Sequence, residues 1–88
     1  MNIRFDTKIV AVSGAGHGIG RAIARSFAGL GAVVFAADNN AANLKETAST
    51  GNITAHTVDL SDRGAAARWI GEVEHQAGGK PIFALVNN

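Results

Sequence analysis

The sequence predicts an α/β fold in which helices cover both faces of a doubly wound parallel sheet. Three observations predict it: strand-like and helix-like segments alternate, a glycine-rich turn joins the first strand to the first helix, and every connection between strands is long enough to hold a helix. Connections of this length favour right-handed parallel crossovers. We therefore expect four parallel strands in the spatial order 3-2-1-4.

The first half of the chain supplies two of these strands and the helix between them. The apolar, β-branched run at 8–12 is typical of a strand that is buried on both faces. A helical pattern follows at 18–29, and a second apolar run predicts a strand at 32–37. The helix positions predicted to face the core are Ile19, Ile23, Ala24 and Phe27.

The second half continues the alternation with shorter apolar runs. Its predicted elements are a short helix at 41–49, a strand at 53–60, a helix from Ser61 to about Gln76, and a strand at 82–86. Ser61 is predicted to cap its helix, because a serine hydroxyl accepts a hydrogen bond from an amide of the first turn. The positions of this helix predicted to face inward are Ala66, Ile70 and Val73.

Composition and charge restrict the class of protein. The formal net charge is +1, from eight Lys and Arg against seven Asp and Glu, and no basic block occurs. We therefore expect neither a nucleic-acid nor a membrane partner. The absence of cysteine excludes disulfides and thiol catalysis within this sequence. Polar N-terminal residues and the lack of any apolar run near 18 residues favour a cytoplasmic protein.

The glycine-rich turn is the strongest functional signal. It reads S-G-A-G-H-G-I-G and begins at Ser13, between the first strand and the first helix. The glycines at the spacing G-x-x-x-G-x-G are Gly14, Gly18 and Gly20, with Gly16 as an additional one. Their roles are a sharp turn off the strand, close approach of backbone to a phosphate, and close packing of helix on sheet. Free amides and the positive end of the helix dipole favour an anion, so the turn predicts a dinucleotide pyrophosphate site.

Alternatives remain open at three points of this turn. A glycine-rich turn without a ligand is one, although four glycines in seven residues cost more backbone entropy than a plain turn requires. His17 either contacts a cofactor phosphate or ribose, or is an exposed loop histidine without contacts. For Arg21, a solvated helix residue is preferred over a phosphate ligand.

Asp38 follows the second predicted strand, 18 residues after Gly20. A carboxylate there accepts hydrogen bonds from the ribose hydroxyls of adenosine and repels a 2′-phosphate. No Lys or Arg directly follows Asp38, so the sequence predicts NAD rather than NADP. The alternative is a turn aspartate beside Asn39 and Asn40.

Two more polar segments end predicted strands. Asp59 and Leu60 end the third strand, where Asp59 either accepts from the adenine amino group or starts the next helix. Asn87 and Asn88 end the fourth, where their amides either bridge to the neighbouring strand and face the cofactor ribose or form a polar strand end. The predicted cofactor-binding residues are Ser13, Gly14, Gly16, His17, Gly18, Ile19, Gly20, Asp38, Asn39, Asp59, Leu60, Asn87 and Asn88.

The sequence resembles the short-chain dehydrogenase/reductase family over nearly its whole length. That family's glycine motif is T-G-x-x-x-G-I-G, in which Ser13 here replaces the threonine. Asp59-Leu60 is similar to the family's adenine-site segment, and Leu85-Val86-Asn87-Asn88 is similar to the start of its N-N-A-G motif. The resemblance implies hydride transfer between NAD(H) and a small alcohol or carbonyl substrate. It also implies a catalytic Tyr, Lys and Ser after the fourth strand.

No catalytic residue is predicted within the chain, because it contains neither tyrosine nor a Y-x-x-x-K pattern, and no metal-ligand spacing occurs. We expect residues 1–88 to be the N-terminal part of a Rossmann-type dinucleotide-binding domain, with its first four strands only and the catalytic half absent. The apolar fourth strand at a sheet edge favours this interpretation. The resemblance also implies a homo-oligomer, and the bare apolar edge of the fourth strand favours docking with the missing half as an alternative. The alternative is a non-catalytic nucleotide-binding module that acts as a sensor or interaction domain.

Overall fold

Strands and helices alternate along the chain in the computed structural model, which describes residues 3–88. The elements are β1 (Ile9–Ser13), α1 (Gly18–Gly29), β2 (Val33–Asp38), α2 (Ala41–Thr47), β3 (Ile53–Thr57), α3 (Ala65–Gln76) and β4 (Ile82–Val86). All strand pairs are parallel, and the sheet order is β3-β2-β1-β4. The predicted α/β class and strand order are therefore confirmed. None of the helices formed by residues 3–88 combines the length and the apolar character that a bilayer span requires.

Strand register brings the polar strand ends together. Ile9 lies opposite Val33 of β2, and Ser13 lies opposite Ala37. On the other side of β1 the register with β4 shifts once, between Ile9 and Val10, so that Val12 lies opposite Val86. Because parallel strands end at the same edge of a sheet, the residues that follow β1, β2, β3 and β4 share one edge.

The core consists of two layers, one on each face of the sheet. All five residues of β1 are buried, and alternate residues along it point to opposite faces. The layer beneath α1 and α2 contains Val10, Val12, Ala15, Ala24, Ala32, Val34, Ala36, Leu44 and Ile53. The layer beneath α3 contains Ile9, Ala11, Phe35, Ala37, Trp69 and Val73. Helices thus cover both faces, as a doubly wound sheet requires.

The inward face of α1 differs from the predicted stripe. Ile19 is 72% exposed, whereas Gly20 and Ala24 are buried and Ile23 and Phe27 are half-buried. At Gly20 the helix lies directly against the turn after β1, since a Cβ there would overlap the carbonyl oxygen of Gly14. Ile19 precedes that contact by one residue, which is about 100° of rotation, so it faces outward.

The inward face of α3 includes Val73 and the half-buried Ile70, as predicted, but not Ala66. Ala66 is exposed, while Ala65, Trp69 and Val73 are buried at helical spacing. Trp69 takes this position because its indole Nε1 donates to His56 Nδ1 of β3 at 2.9 Å, which satisfies the polar atom of a buried tryptophan.

The boundary between β3 and α3 lies differently from the prediction. β3 ends at Thr57 and α3 begins at Ala65, after Gly64 with a φ of +85°. Ser61 does not cap the helix, because its amide and hydroxyl both donate to Asp59 Oδ1 in a local turn. Such local hydrogen bonds compete with helix formation and delay the start of α3.

Leu44 tests the packing of α2 on the sheet. Its side chain is 1% exposed in the layer beneath α1 and α2. We expect Leu44→Ala to lower the free energy of unfolding by about 2–5 kcal/mol, because it removes buried surface and leaves a cavity. Urea unfolding followed by circular dichroism measures this change.

Leu85 supplies the matched control, since it is 56% exposed on β4. Leu85→Ala in the same chain should change the free energy of unfolding by no more than about 0.5 kcal/mol. Equal effects of the two substitutions would contradict the described core.

Candidate functional site

A cleft of about 260 Å³ lies at the edge where the parallel strands end. Its lining residues are Gly14, Asp38, Asn39, Val58, Asp59, Leu60, Ser61 and Asn88. Most of them are among the residues predicted from sequence to bind a cofactor. A larger depression of about 690 Å³ lies between α2 and β3, but it is mostly apolar and does not reach the glycine turn. The strand-end cleft joins the glycine turn to the carboxylate that ends β2 and to the one that follows β3.

The glycines of the turn after β1 meet distinct steric demands. Gly14 and Gly18 have φ values of +62° and +56°, a region that favours glycine. A Cβ on Gly20 would overlap the carbonyl oxygen of Gly14, so glycine lets α1 contact the turn directly. A Cβ on Gly16 would lie 2.8 Å from Asp38 Oδ2. Gly16, an additional glycine in the sequence pattern, is therefore required by the neighbouring carboxylate.

Backbone amides at the start of α1 form the donor side of the site. Within residues 3–88, the amides of His17, Gly18 and Ile19 have no acceptor. The side chains of His17 and Ile19 are exposed, and His17 makes no capping hydrogen bond. Unpaired amides and the positive end of the helix dipole make this helix terminus favourable for an anion.

Asp38 supplies the acceptor side of the site. Oδ2 accepts from the amide of Gly16 at 2.9 Å, and Oδ1 accepts from the amide of Asn40 at 3.1 Å. The residue is buried at the end of β2. Asp38 is therefore a turn aspartate that also fixes the glycine turn. Each carboxylate oxygen keeps acceptor capacity beyond these bonds.

Arg21 differs from its prediction as a solvated helix residue. Its side chain is only 21% exposed and turns toward α2. Nη2 donates to the carbonyl of Gly16 and to that of Asn43 at 3.1 Å, and Nε donates to Thr47 Oγ1 at 2.9 Å. Nη1 lies 3.8 Å from Glu46 Oε1. Hydrogen bonds to the turn and to α2 thus hold the guanidinium.

Sequence reasoning missed Thr47. Its side chain is fully buried at the end of α2, and its hydroxyl donates to the carbonyl of Ala15 at 2.8 Å. A threonine three residues after the buried Leu44, on the same face of a helix, is the sequence signal that points to it.

Asp59 and Leu60 both line the strand-end cleft. Asp59 is exposed, and its Oδ1 accepts from the hydroxyl of Ser61 and, at 3.0 Å, from its amide. These two hydrogen bonds, the hydroxyl's first, hold the pKa of Asp59 below its ordinary value. The carboxylate therefore stays ionised across the neutral range.

Asn87 and Asn88 connect β4 to β1 at the same edge. The hydroxyl of Ser13 donates to Asn87 Oδ1 at 3.0 Å, and the amide of Asn88 donates to that hydroxyl at 3.2 Å. Asn88 Nδ2 also donates to the carbonyl of Gly14 at 3.3 Å. Side chains thus bridge the two strands, as one of the two sequence interpretations proposed.

The chain is similar to proteins of one family. A family model described as short chain dehydrogenase matches residues 8–88. The chain is 37% identical over 89 residues to a meso-2,3-butanediol dehydrogenase of Serratia marcescens, covering 98% of the chain and 35% of that protein. It is 38% identical over 87 residues to epidermal retinol dehydrogenase 2 of Mus musculus, covering 92% and 28%. The chain therefore spans about a third of the length of the curated relatives it matches.

Solved structures give the same result. The citronellol catabolism dehydrogenase AtuB of Pseudomonas aeruginosa PAO1 superposes with a TM-score of 0.88 at 31% identity, over 100% of this chain and 38% of that one. A metagenomic short-chain oxidoreductase in complex with NADP superposes with a TM-score of 0.84 at 33% identity, over 94% and 39%.

Gly20 tests the contact between α1 and the turn. We expect Gly20→Ala to lower the free energy of unfolding by about 3 kcal/mol, because the methyl group would overlap backbone at Gly14. Gly29→Ala in the same helix is the control. No atom lies within 4 Å of a Cβ at Gly29, so alanine should raise stability by about 0.5–1 kcal/mol. If urea unfolding gave similar changes in the free energy of unfolding for the two variants, the contact between Gly20 and Gly14 would be refuted.

Ser61 tests the electrostatics of the cleft. Because its hydrogen bonds depress the pKa of Asp59, the stability that this carboxylate contributes is present above its ordinary pKa and is lost as pH falls through the lowered one. We expect Ser61→Ala to raise the pKa of Asp59 toward the ordinary value, as measured by NMR titration of the carboxyl carbon. Ser49→Ala, which removes a hydroxyl bonded to the carbonyl of Glu46, should leave it unchanged.

Proposed function

The chain belongs to the short-chain dehydrogenase family, and we propose that it supplies the NAD(H)-binding part of an oxidoreductase. The observation that carries this proposal is the convergence of unpaired amides and the Asp38 carboxylate at one sheet edge. The reaction proposed for the whole protein is hydride transfer between the nicotinamide and a small alcohol or carbonyl compound. The dehydrogenases among its relatives support this reaction class.

The pyrophosphate is assigned to the start of α1. The amides of His17, Gly18 and Ile19 are the donors available to it. A Cβ on Gly18 would have open space around it, so backbone there is free to approach a phosphate. When bound, the cofactor supplies the nicotinamide ring that carries the hydride. These 88 residues hold the dinucleotide, and they contain no tyrosine to transfer the accompanying proton.

NAD rather than NADP is the proposed cofactor, although one structural relative was solved with NADP. Asp38 would accept from a ribose hydroxyl, whereas a 2′-phosphate would meet its negative charge. Asn39 and Asn40, which follow it, carry no compensating charge. The guanidinium of Arg21 is already occupied by acceptors of the turn and α2.

The remaining cleft residues complete the proposed site. Asp59 would accept from the adenine amino group beside Leu60, and its ionised state suits that role. Ser13, Asn87 and Asn88 would hold the ends of β1 and β4 together under the cofactor. Assembly into a homo-oligomer, docking with a catalytic half elsewhere, and a cytoplasmic location stay predictions.

A non-catalytic nucleotide-binding module is the second candidate. The absence of tyrosine would favour it only if 88 residues were the natural length of the protein. The two candidates share the binding site and differ in chemistry. The gene sequence distinguishes them, because an open reading frame that continues into a Y-x-x-x-K segment supports the oxidoreductase alone.

Calorimetric titration with NADH and NADPH tests the cofactor assignment. We expect the unmodified chain to prefer NADH. Asp38→Asn removes the negative charge that would repel the 2′-phosphate, so the ratio of the two affinities should shift toward NADPH about tenfold, which is about 1.4 kcal/mol in binding free energy. Asparagine keeps one acceptor oxygen, which can serve the amide of Gly16, and it loses the acceptor that Asp38 offers to the amide of Asn40.

Asp62→Asn is the control for this experiment, because that carboxylate pairs with Arg68 at 2.8 Å and does not line the cleft. Its ratio of affinities should equal that of the unmodified chain. Tighter binding of NADPH than NADH by the unmodified chain would refute the choice of NAD, and binding of neither would refute the proposed function.

A further inference from the structure

Two carbonyl oxygens of the glycine turn are held by side chains from the helices on either side of it. The carbonyl of Gly16 accepts from Arg21 Nη2, and the carbonyl of Ala15 accepts from the Thr47 hydroxyl at 2.8 Å, which is shorter than the 3.1 Å from that hydroxyl to the carbonyl of Asn43. Arg21 Nε in turn donates to that hydroxyl at 2.9 Å. We call this connected pair of side chains, Arg21 and Thr47, the turn clamp.

The turn clamp controls the direction of the neighbouring amides. A trans peptide group is planar, so its carbonyl and its N–H point in opposite directions. With the carbonyl of Gly16 fixed toward Arg21, the N–H of His17 points away from it. The preceding peptide group is fixed at both ends, because the carbonyl of Ala15 meets Thr47 and the N–H of Gly16 meets Asp38.

This arrangement separates the acceptors of the turn from its donors. Carbonyl oxygens carry partial negative charge and would repel a pyrophosphate, whereas amides attract it. The turn clamp pairs the carbonyls of Ala15 and Gly16, while the amides of His17, Gly18 and Ile19 stay without an acceptor in residues 3–88. Rotation of the Gly16–His17 peptide group would place an oxygen where His17 now offers a donor, and rotation of the Ala15–Gly16 group would break the hydrogen bond to Asp38.

We propose that Arg21 and Thr47 are positioning residues for the pyrophosphate of the nucleotide. They act through the orientation of the turn and do not contact the phosphate. This inference rests on the proposed function, and it assigns Arg21 a role different from that of a cationic phosphate ligand.

Arg25 provides a matched control in the same helix. Its Nη2 donates to the carbonyl of Glu46 at 2.8 Å, so it also joins α1 to α2. It makes no contact with the glycine turn among the hydrogen bonds of residues 3–88. The Arg25→Met variant therefore shows how nucleotide affinity changes when only the contact between α1 and α2 is weakened.

The experiment compares ADP with adenosine, because only ADP carries a pyrophosphate. Dissociation constants are measured by ¹⁵N NMR titration of the 88-residue chain. We expect Thr47→Val and Arg21→Met each to weaken ADP about tenfold and adenosine less than about twofold, since an unpaired carbonyl is free to turn. Thr47→Ser, which keeps the hydroxyl, should restore ADP binding, and Arg25→Met should leave it unchanged.

Arg21→Lys separates geometry from charge. Lysine keeps the positive charge but cannot span the three acceptors, so we expect it to lose ADP affinity as Arg21→Met does. Full ADP affinity in Arg21→Lys would show that charge alone matters and would overturn the inference. Equal weakening of ADP and adenosine in the clamp variants would overturn it as well, because the role would then be structural only.

Failure of the proposed function has a different signature. In that case the unmodified chain binds neither ADP nor NADH, whereas failure of this inference alone leaves normal binding that the clamp variants do not alter. Thermal unfolding of every variant accompanies the titrations. If Thr47→Val does not fold, the comparison of Arg21→Lys with Arg25→Met decides the outcome.

Discussion

The hydrogen bond between the amide of Gly16 and the carboxylate of Asp38 joins the glycine turn to the end of β2, and the geometry of the site depends on it. The other oxygen of that carboxylate accepts from the amide of Asn40, whose own side chain caps α2. Thr47 at the far end of α2 then returns to the turn at Ala15. The contacts therefore form a closed circuit in which the turn, the strand end and a helix fix one another.

The circuit depends in turn on the position of β1. Every residue of β1 is buried, and the strand has a parallel neighbour on each side. Burial and backbone hydrogen bonds to both neighbouring strands therefore fix the end of β1 without any contribution from the side chains of the site. A turn that leaves such a strand has little freedom, which allows a few hydrogen bonds of about 1 kcal/mol each to determine its conformation.

Local signals were sufficient for much of the fold. The bounds of α1 and β4 agree with the prediction, because glycines or a continuous apolar run mark their ends. The sheet order follows from the alternation of strands and helices. The start of α3 was missed because Ser61 bonds to Asp59 in place of the helix. Sequence patterns cannot rank such competing local hydrogen bonds.

The sequence signals for the candidate site lie at strand ends and at the start of α1. Asp38 and Asn88 line the same cleft because parallel strands end at one edge of the sheet. The turn clamp was missed because it depends on how α2 docks against α1. Arg21 and Thr47 are 26 residues apart, and Thr47 and Ala15 are 32 residues apart. The requirement for glycine at Gly16 was missed for the same reason, because the atom that excludes a side chain belongs to Asp38.

The hydrogen-bonding pattern of the glycine turn, in which carbonyls are paired and several amides are not, favours a bound ligand. Two of its glycines occupy positive φ, and glycine loses more conformational entropy on folding than other residues. A turn that served folding alone would use fewer glycines. Here the carbonyls of Ala15 and Gly16 are paired with side chains from two helices, while consecutive amides at the start of α1 have no partner in residues 3–88. An anion that accepts from those amides would complete the set.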